Sequence, residues 1–336
     1  MTNPFLHRAR NYPLKLLVDI HSYCNGRCTI CPYPKLSRQQ SQGYMRWPLY
    51  RKIVDEMARI GADHDFRPIM SYCYMGEPFL AEDLSRYVIY AQQRGMDLYL
   101  NTNAAAMTPD KIDSLLAGGF NGKIHISFHG ITPEVYHRIM GLDYDISLGH
   151  ILYLLRRYDP GRICIRGADD RWPAGEKERW FSFWRPYGVE LEYLRPISRC
   201  GSVRRLLPAR LRTPEKIKLY GCRNHHPLVE MVILFDGRAV MCCQDMAREL
   251  IWGDVSRDGI SGVWNAPARI KAVEQLYSGR PSDKDFLCAR CEQALGKAGI
   301  TQALVEASWR KLTRRHRGPK TSAQAGIPVE VAGNII

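Results

Sequence analysis

The chain has no run of roughly 18 consecutive apolar residues, the length that a membrane-spanning helix needs, so a membrane is not expected as a partner. Its first residues, Met1-Thr2-Asn3-Pro4-Phe5-Leu6-His7-Arg8, lack the apolar core of a secretory signal, and the expected location is cytoplasmic. There is no internal repeat and no heptad run, which excludes solenoids and coiled coils. Acids are in deficit, with 34 Asp and Glu against 48 Lys and Arg, giving a net charge of +14. Without a secretory signal, the eleven cysteines do not read as a disulfide framework. Clustered thiols in a reducing compartment more often bind metal or do chemistry.

The basic excess is uneven. Residues 199–218 hold seven Lys or Arg against one acid, and 310–320 hold six with none. These segments read as a solvated connector and a disordered tail, or as attraction for an anionic substrate or an acidic protein. No recognised nucleic-acid module accompanies the charge, and nucleic acid is not an expected partner.

Apolar strand-like runs alternate with amphipathic helical runs, the rhythm of parallel βα units. Strands are expected near 14–20, 68–75, 97–101, 123–128, 162–166 and 189–194, with helices between them. Thr108-Pro109 and Thr132-Pro133 mark helix starts, as an N-cap followed by proline in the first turn. The expected fold is α/β, a partial (β/α)6 barrel with a small C-terminal domain that carries the later cysteines. The expected divisions are a basic N-terminal arm (1–13), the barrel (14–194), a basic connector (195–221), the second domain with a C-terminal helix (222–316) and a disordered tail (317–336). Functional residues should gather at the C-terminal ends of the strands.

Directly after the first strand comes Tyr23-Cys24-Asn25-Gly26-Arg27-Cys28-Thr29-Ile30-Cys31-Pro32. Three thiolates on one tight loop can hold three irons of a [4Fe–4S] cluster and leave the fourth iron open. A zinc site, or a ferredoxin-type site with a remote fourth ligand, would use the same residues. Position and spacing resemble the radical S-adenosylmethionine (SAM) superfamily. That resemblance implies that the open iron binds the amino and carboxylate groups of SAM. Reductive cleavage then gives a 5′-deoxyadenosyl radical that abstracts a substrate hydrogen. It also implies an electron donor of flavodoxin or ferredoxin type. Tyr74-Met75-Gly76-Glu77-Pro78 resembles the family's G-G-E-P segment, with Met75 in place of the first glycine. Leu100-Asn101-Thr102-Asn103 and Ile126-Ser127-Phe128-His129-Gly130 resemble its third and fourth strand ends, with His129 where an Asp is usual. By resemblance Ile30, Gly76, Glu77, Pro78, Asn103, Ser127 and Arg166 border the cofactor.

Cys222, Gly237, Cys242 and the pair Cys288-Ala289-Arg290-Cys291 resemble the SPASM or twitch domain of radical SAM enzymes. Four cysteines complete one [4Fe–4S] cluster, so one auxiliary cluster is implied; a zinc ribbon on the same thiolates is the alternative. Cys73 and Cys164 read as buried small hydrophobes, and Cys243 as an alternate ligand. Cys200, after the sixth strand, reads as an inert connector cysteine or as a mouth thiol that returns a hydrogen atom to a substrate radical. His21, Tyr72, Tyr74, His129, Arg166 and Arg195 are further mouth candidates. Arg166 and Arg195 can clamp a carboxylate or phosphate, or serve as structural ion pairs. Cys200, His129 and Arg195 are the expected catalytic residues.

The leading expectation is an enzyme of secondary metabolism acting on a small sugar, aminocyclitol or nucleoside by dehydrogenation, epimerisation or carbon–carbon coupling. An anionic or nucleotide-linked substrate would suit the basic connector. Peptide or protein modification, and a non-catalytic electron carrier, are the alternatives. The Gly76-Glu77-Pro78 segment speaks against the carrier, which needs no cofactor clamp.

Overall fold

The computed structural model describes residues 10–168, 170–208, 218–283 and 285–296. Most of the expected N-terminal arm, connector residues 209–217, and the expected C-terminal helix and tail lie outside the described residues. No helix among the described residues is long and apolar enough to cross a membrane.

Six strands, β1 (Lys15–Val18), β2 (Ile69–Tyr72), β3 (Asp97–Thr102), β4 (Lys123–Ser127), β5 (Ile163–Ala168) and β6 (Glu190–Leu194), pair in sequence and in parallel. Parallel neighbours need long crossovers, and helices supply them. A short helix, α1 (Tyr33–Leu36), follows the first cysteine loop. Then come α2 (Trp47–Asp63), α3 (Leu84–Gln93), α4 (Pro109–Ala117), α5 (Pro133–Met140) with α6 (Tyr144–Leu155), and α7 (Glu176–Trp184).

Strand alternation sorts the side chains. Leu16, Met70, Leu98, Ile124 and Ile165 face outward into one apolar core with the helices. Tyr72 belongs to this outer layer, with its hydroxyl 2.6 Å from that of Tyr50. It therefore does not reach the barrel mouth as expected. The inward positions are largely polar. Asn101 Nδ2 donates to Ser71 Oγ (3.0 Å), Arg166 Nη1 to Asn101 Oδ1 (2.9 Å) and Arg166 Nε to Glu192 Oε2 (2.6 Å). His125 stacks edge-on against Tyr99, and burial pushes its pKa down to about 3.

After α8 (His226–Val229), strand β7 (Glu230–Ile233) pairs in parallel with β1; β8 (Arg238–Val240) and β9 (Ile251–Asp254) follow antiparallel. The sheet order is β6-β5-β4-β3-β2-β1-β7-β8-β9. The strands of the second cysteine region thus prolong the barrel sheet. Met231 and Ile233 join the outer core, while Val232 meets Leu17 on the inner face. Helices α9 (Val255–Trp264) and α10 (Pro267–Tyr277) complete this part. Lys52 Nζ on α2 donates to Ser256 O (2.6 Å), and Ser261 N to Glu56 Oε1 (3.1 Å).

Thr132 occupies the N-cap position of α5 with proline behind it, yet its side chain caps nothing. The amides just before the helix, Ile131 N (2.6 Å) and Thr132 N (3.0 Å), donate instead to the buried Glu176 carboxylate. Trp180 lies over Gly167 of β5 and donates its indole N–H to Phe128 O at 2.8 Å. It is fully buried. Trp180→Ala should therefore cost about 3–5 kcal/mol, read as a lower apparent urea midpoint.

Candidate functional site

Cys24, Cys28 and Cys31 converge on the loop after β1. A β-carbon on Gly26 would lie 3.4 Å from Cys28 Sγ and 3.6 Å from Cys24 Sγ, so both sulfurs border bare backbone. Gly26 N–H points to Cys24 Sγ (3.4 Å) and Tyr33 N–H to Cys31 Sγ (3.5 Å). Arg27 N donates to Met140 O (2.9 Å) and Thr29 N to Ile139 O (2.8 Å), satisfying carbonyls that the end of α5 leaves unpaired. Gly141, at φ 63°, ends that helix, and a β-carbon there would lie 2.9 Å from Arg27 Cβ. Thr29 Oγ1 donates to Asp170 Oδ2 (2.5 Å), and Arg205 bridges Asp170 (2.6 and 2.8 Å) to Thr29 O (2.9 Å). A basic residue of the connector is thus engaged in holding the cysteine loop.

Burial pushes the Cys24 thiol up to about 12, with the Glu77 carboxylate adding to it. Burial and then the charges of Cys31 and Cys24 push Cys28 well above its ordinary value. Thiols that crowd one another away from water form a donor set that a cationic iron core relieves.

The neighbouring strand ends close on this loop. A β-carbon on Gly76 would lie 2.1 Å from His21 O, so only glycine fits. Gly76 N donates to Asp19 Oδ1 (3.0 Å) and Glu77 N to Tyr23 O (2.8 Å). The buried Glu77 carboxylate accepts from Thr102 Oγ1 (2.6 Å), Asn103 N (2.7 Å) and Phe79 N (3.1 Å). It ties the end of β2 to the end of β3, and burial pushes its pKa up to about 7. Pro78 opens the short turn that follows. Asn103 Nδ2 donates to Asn25 Oδ1 (2.8 Å) and lies 3.9 Å from Cys24 Sγ. Gly76, Glu77, Pro78 and Asn103 are therefore assembled around the loop, with half-buried Ile30 beside Cys31.

Other expected site residues sit elsewhere. Ser127 ends β4 opposite Arg166, which belongs to the lumen network. His129 is buried, its Nδ1 3.1 Å from Arg166 O. Burial pushes its pKa down to about 4, which fits a neutral anchor between β4 and β5. Arg195 is exposed beyond β6. His21 is buried, with Nδ1 accepting from Tyr23 N (3.1 Å).

The second cysteine group encloses a cavity lined by Cys222, Cys242, Cys288 and Cys291 together with Cys200, His226 and Gln244. Burial pushes Cys222 up to about 11, and Cys242 and Cys288 well above the ordinary thiol value. Cys200 is thus not a mouth thiol, because the chain turns back after β6 and buries it in this cavity. Cys243 does not line the cavity. It packs on the inner face near Leu17 and Val232. Its Sγ is 3.8 Å from His226 Nε2, and His226 Nδ1 is 2.7 Å from Glu230 Oε1. Sequence reasoning missed this trio; the only local signal is the i, i+4 spacing of His226 and Glu230. Residues between the two cysteine sites join them. Met246 packs with Tyr33 and Met75 against Cys24 and Cys31, and Tyr74 Oη donates to Asp245 O (2.5 Å).

The description "Radical SAM superfamily" matches residues 18–161, and "Iron-sulfur cluster-binding domain" (SPASM) matches residues 222–292. The chain is 20% identical, over 82% of its own length and 90% of the relative's, to an S-adenosyl-L-methionine-dependent 2-deoxy-scyllo-inosamine dehydrogenase of Niallia circulans. Three other curated relatives match over only 39%, 36% and 32% of their own length. Among solved structures, BtrN in complex with AdoMet and 2-DOIA superposes with a TM-score of 0.55 at 17% identity, over 84% of this chain and 93% of BtrN. Streptococcus suis SuiB bound to precursor peptide SuiA gives 0.61 at 16% identity, over 85% of this chain and 71% of SuiB.

Gly76→Ala should force the loop after β2 away from His21 while leaving all cysteines in place. The expected result is a roughly tenfold or greater loss of SAM affinity in equilibrium binding, with iron content unchanged.

Proposed function

Because the chain belongs to the radical SAM superfamily and carries a SPASM iron–sulfur domain, we propose that it oxidises a small natural-product intermediate rich in hydroxyl and amino groups, of sugar, aminocyclitol or nucleoside type. It is an enzyme, and its cofactors are a [4Fe–4S] cluster, an auxiliary cluster and SAM. In this reading Cys24, Cys28 and Cys31 hold the catalytic cluster, and Cys222, Cys242, Cys288 and Cys291 hold the auxiliary one. Ile30, Gly76, Glu77, Pro78 and Asn103 border SAM. When bound, the catalytic cluster and SAM supply a 5′-deoxyadenosyl radical that abstracts hydrogen.

The observation that carries the substrate class is the hydrogen-bonded chain Ser71–Asn101–Arg166–Glu192 inside the barrel. It offers donors and acceptors to a polar molecule. Its Arg166 is already paired with Glu192, and Lys15 on β1 pairs separately with Glu230 of β7 (3.7 Å). A phosphate would have to draw Arg166 away from two partners, so an uncharged or amino-bearing polyol fits better than an anionic one. The wall shared by the two cysteine sites suits an oxidative outcome. Enclosure of Cys200 weighs against epimerisation by that thiol. The reducing electron comes from an acidic flavodoxin- or ferredoxin-type donor, which the net charge of +14 attracts. A second reading, peptide modification, rests on β6. That strand is an edge of the sheet with Glu190 and Leu194 exposed, and an extended peptide can add to such an edge.

The test is anaerobically reconstituted protein with SAM and dithionite, supplied with 2-deoxy-scyllo-inosamine and related aminocyclitols. The expected result is 5′-deoxyadenosine formed in step with a ketone product. Replacing Cys24, Cys28 and Cys31 with Ala should abolish all SAM cleavage. Arg166→Ala should lower substrate-dependent turnover roughly tenfold or more and leave substrate-free cleavage unchanged. Stimulation by peptides and by no polyol would overturn the reading.

A further inference from the structure

Five cysteines surround the auxiliary cavity, whereas a four-iron cluster takes four thiolates. We propose that Cys200 is a fifth, non-ligating thiol of the auxiliary centre, which donates its S–H to the Cys291 sulfur and raises the reduction potential of the cluster held there. This deepens the proposed function and rests on Cys222, Cys242, Cys288 and Cys291 being the ligands.

The placement of Cys200 is built by the chain around it. Cys200 is only 3% exposed and lines the same cavity as the other four thiols. Arg199 (φ 52°) and Cys200 (φ 53°) are consecutive non-glycine residues in the left-handed region, followed by Gly201 (φ 87°). That conformation is disfavoured for residues with a β-carbon and persists only where surrounding contacts hold it. The contacts come from both neighbours of Cys291. Arg290 Nε donates to Cys200 O (2.8 Å), and Glu292 Oε1 accepts from Ser198 N (2.7 Å). Gly201 N donates to Ser198 Oγ (3.0 Å), closing the loop on itself. The loop is therefore fixed to the segment that carries Cys291, and both thiols line the one cavity.

The direction of the contact follows from ligation. A cysteine bound to iron is a thiolate with no proton left to give, so between Cys291 and the non-ligating Cys200 that lines the same cavity the S–H belongs to Cys200. The Cys291 sulfur also faces the Gln293 N–H at 3.4 Å. Hydrogen bonds to cluster sulfurs stabilise the more negative, reduced state and so raise the potential. A neutral donor achieves this without adding charge or displacing a ligand. The result is a better acceptor for the electron that an oxidised substrate gives up.

The experiment is an EPR-monitored redox titration of the reconstituted holoenzyme, Cys200→Ala and Cys200→Ser, with iron counted in each. Alanine and serine keep the β-carbon, so the backbone cost at residue 200 is the same in all three. The expected result is equal iron in all three and an auxiliary signal displaced to lower potential in Cys200→Ala. A tenfold change in the one-electron equilibrium corresponds to about 59 mV. Cys200→Ser, which retains a donor, should recover most of that displacement, and the catalytic-cluster signal should stay in place throughout as an internal control. An unmoved auxiliary potential in Cys200→Ala with full iron overturns the proposal. So does the loss of about four irons in either variant, which would make Cys200 a ligand. A wild-type protein with no second cluster signal would refute the ligand assignment itself.

Discussion

A loop that presents three thiols to one point cannot pair its own backbone, and the end of a helix leaves carbonyls without partners. In this protein each deficit answers the other. The amides of Arg27 and Thr29 take the carbonyls of Met140 and Ile139, and the cysteine loop becomes the cap of α5. Much of the mouth depends on that contact. Gly141 has no side chain so that Arg27 can approach, Asp170 and Arg205 lock Thr29 from the outside, and Asn103 reaches across from β3 to Asn25. Glu77 then joins β2 to β3 underneath. The thiols are positioned by backbone that is itself tied down at Cys24, Arg27, Thr29 and Cys31.

The parallel pairing of β7 with β1 gives the second cysteine region its place. It brings Cys242 and the residues after it to the first cysteine loop, where Met246 and Asp245 form a common wall. The inner face of the sheet carries paired charges and hydrogen-bonded amides where a closed barrel would carry a packed apolar core. That polar lining is the ground for the proposed substrate class.

The first cysteine loop and the strand ends were legible because their chemistry is local. Cysteine spacing, the glycine that a close approach demands at residue 76, and the alternation of strands and helices all appear within a few consecutive residues. What sequence reasoning missed is long-range. Nothing near Cys200 reveals that Arg199 and Cys200 turn left-handed and carry the thiol away from the mouth into the auxiliary cavity. Thr132 has the composition of a cap, but its side chain caps nothing, and Glu176, 44 residues on, accepts its backbone N–H instead. The Cys243–His226–Glu230 contacts need β7 and β8 to be folded beside one another before the three residues meet. Tyr72 shows the period-two rule at work: one position along the strand separates the lumen from the helix layer.

The central claim is that one chain holds two iron–sulfur centres joined by a common wall, the first on three cysteines and the second on four of the five that enclose its cavity. Iron, acid-labile sulfide and zinc analysis of the anaerobically reconstituted wild-type protein tests it most directly. The account predicts about eight irons and eight sulfides per chain and no stoichiometric zinc. About four irons with one zinc would contradict it, because the second group of cysteines would then be a zinc ribbon and could not accept an electron.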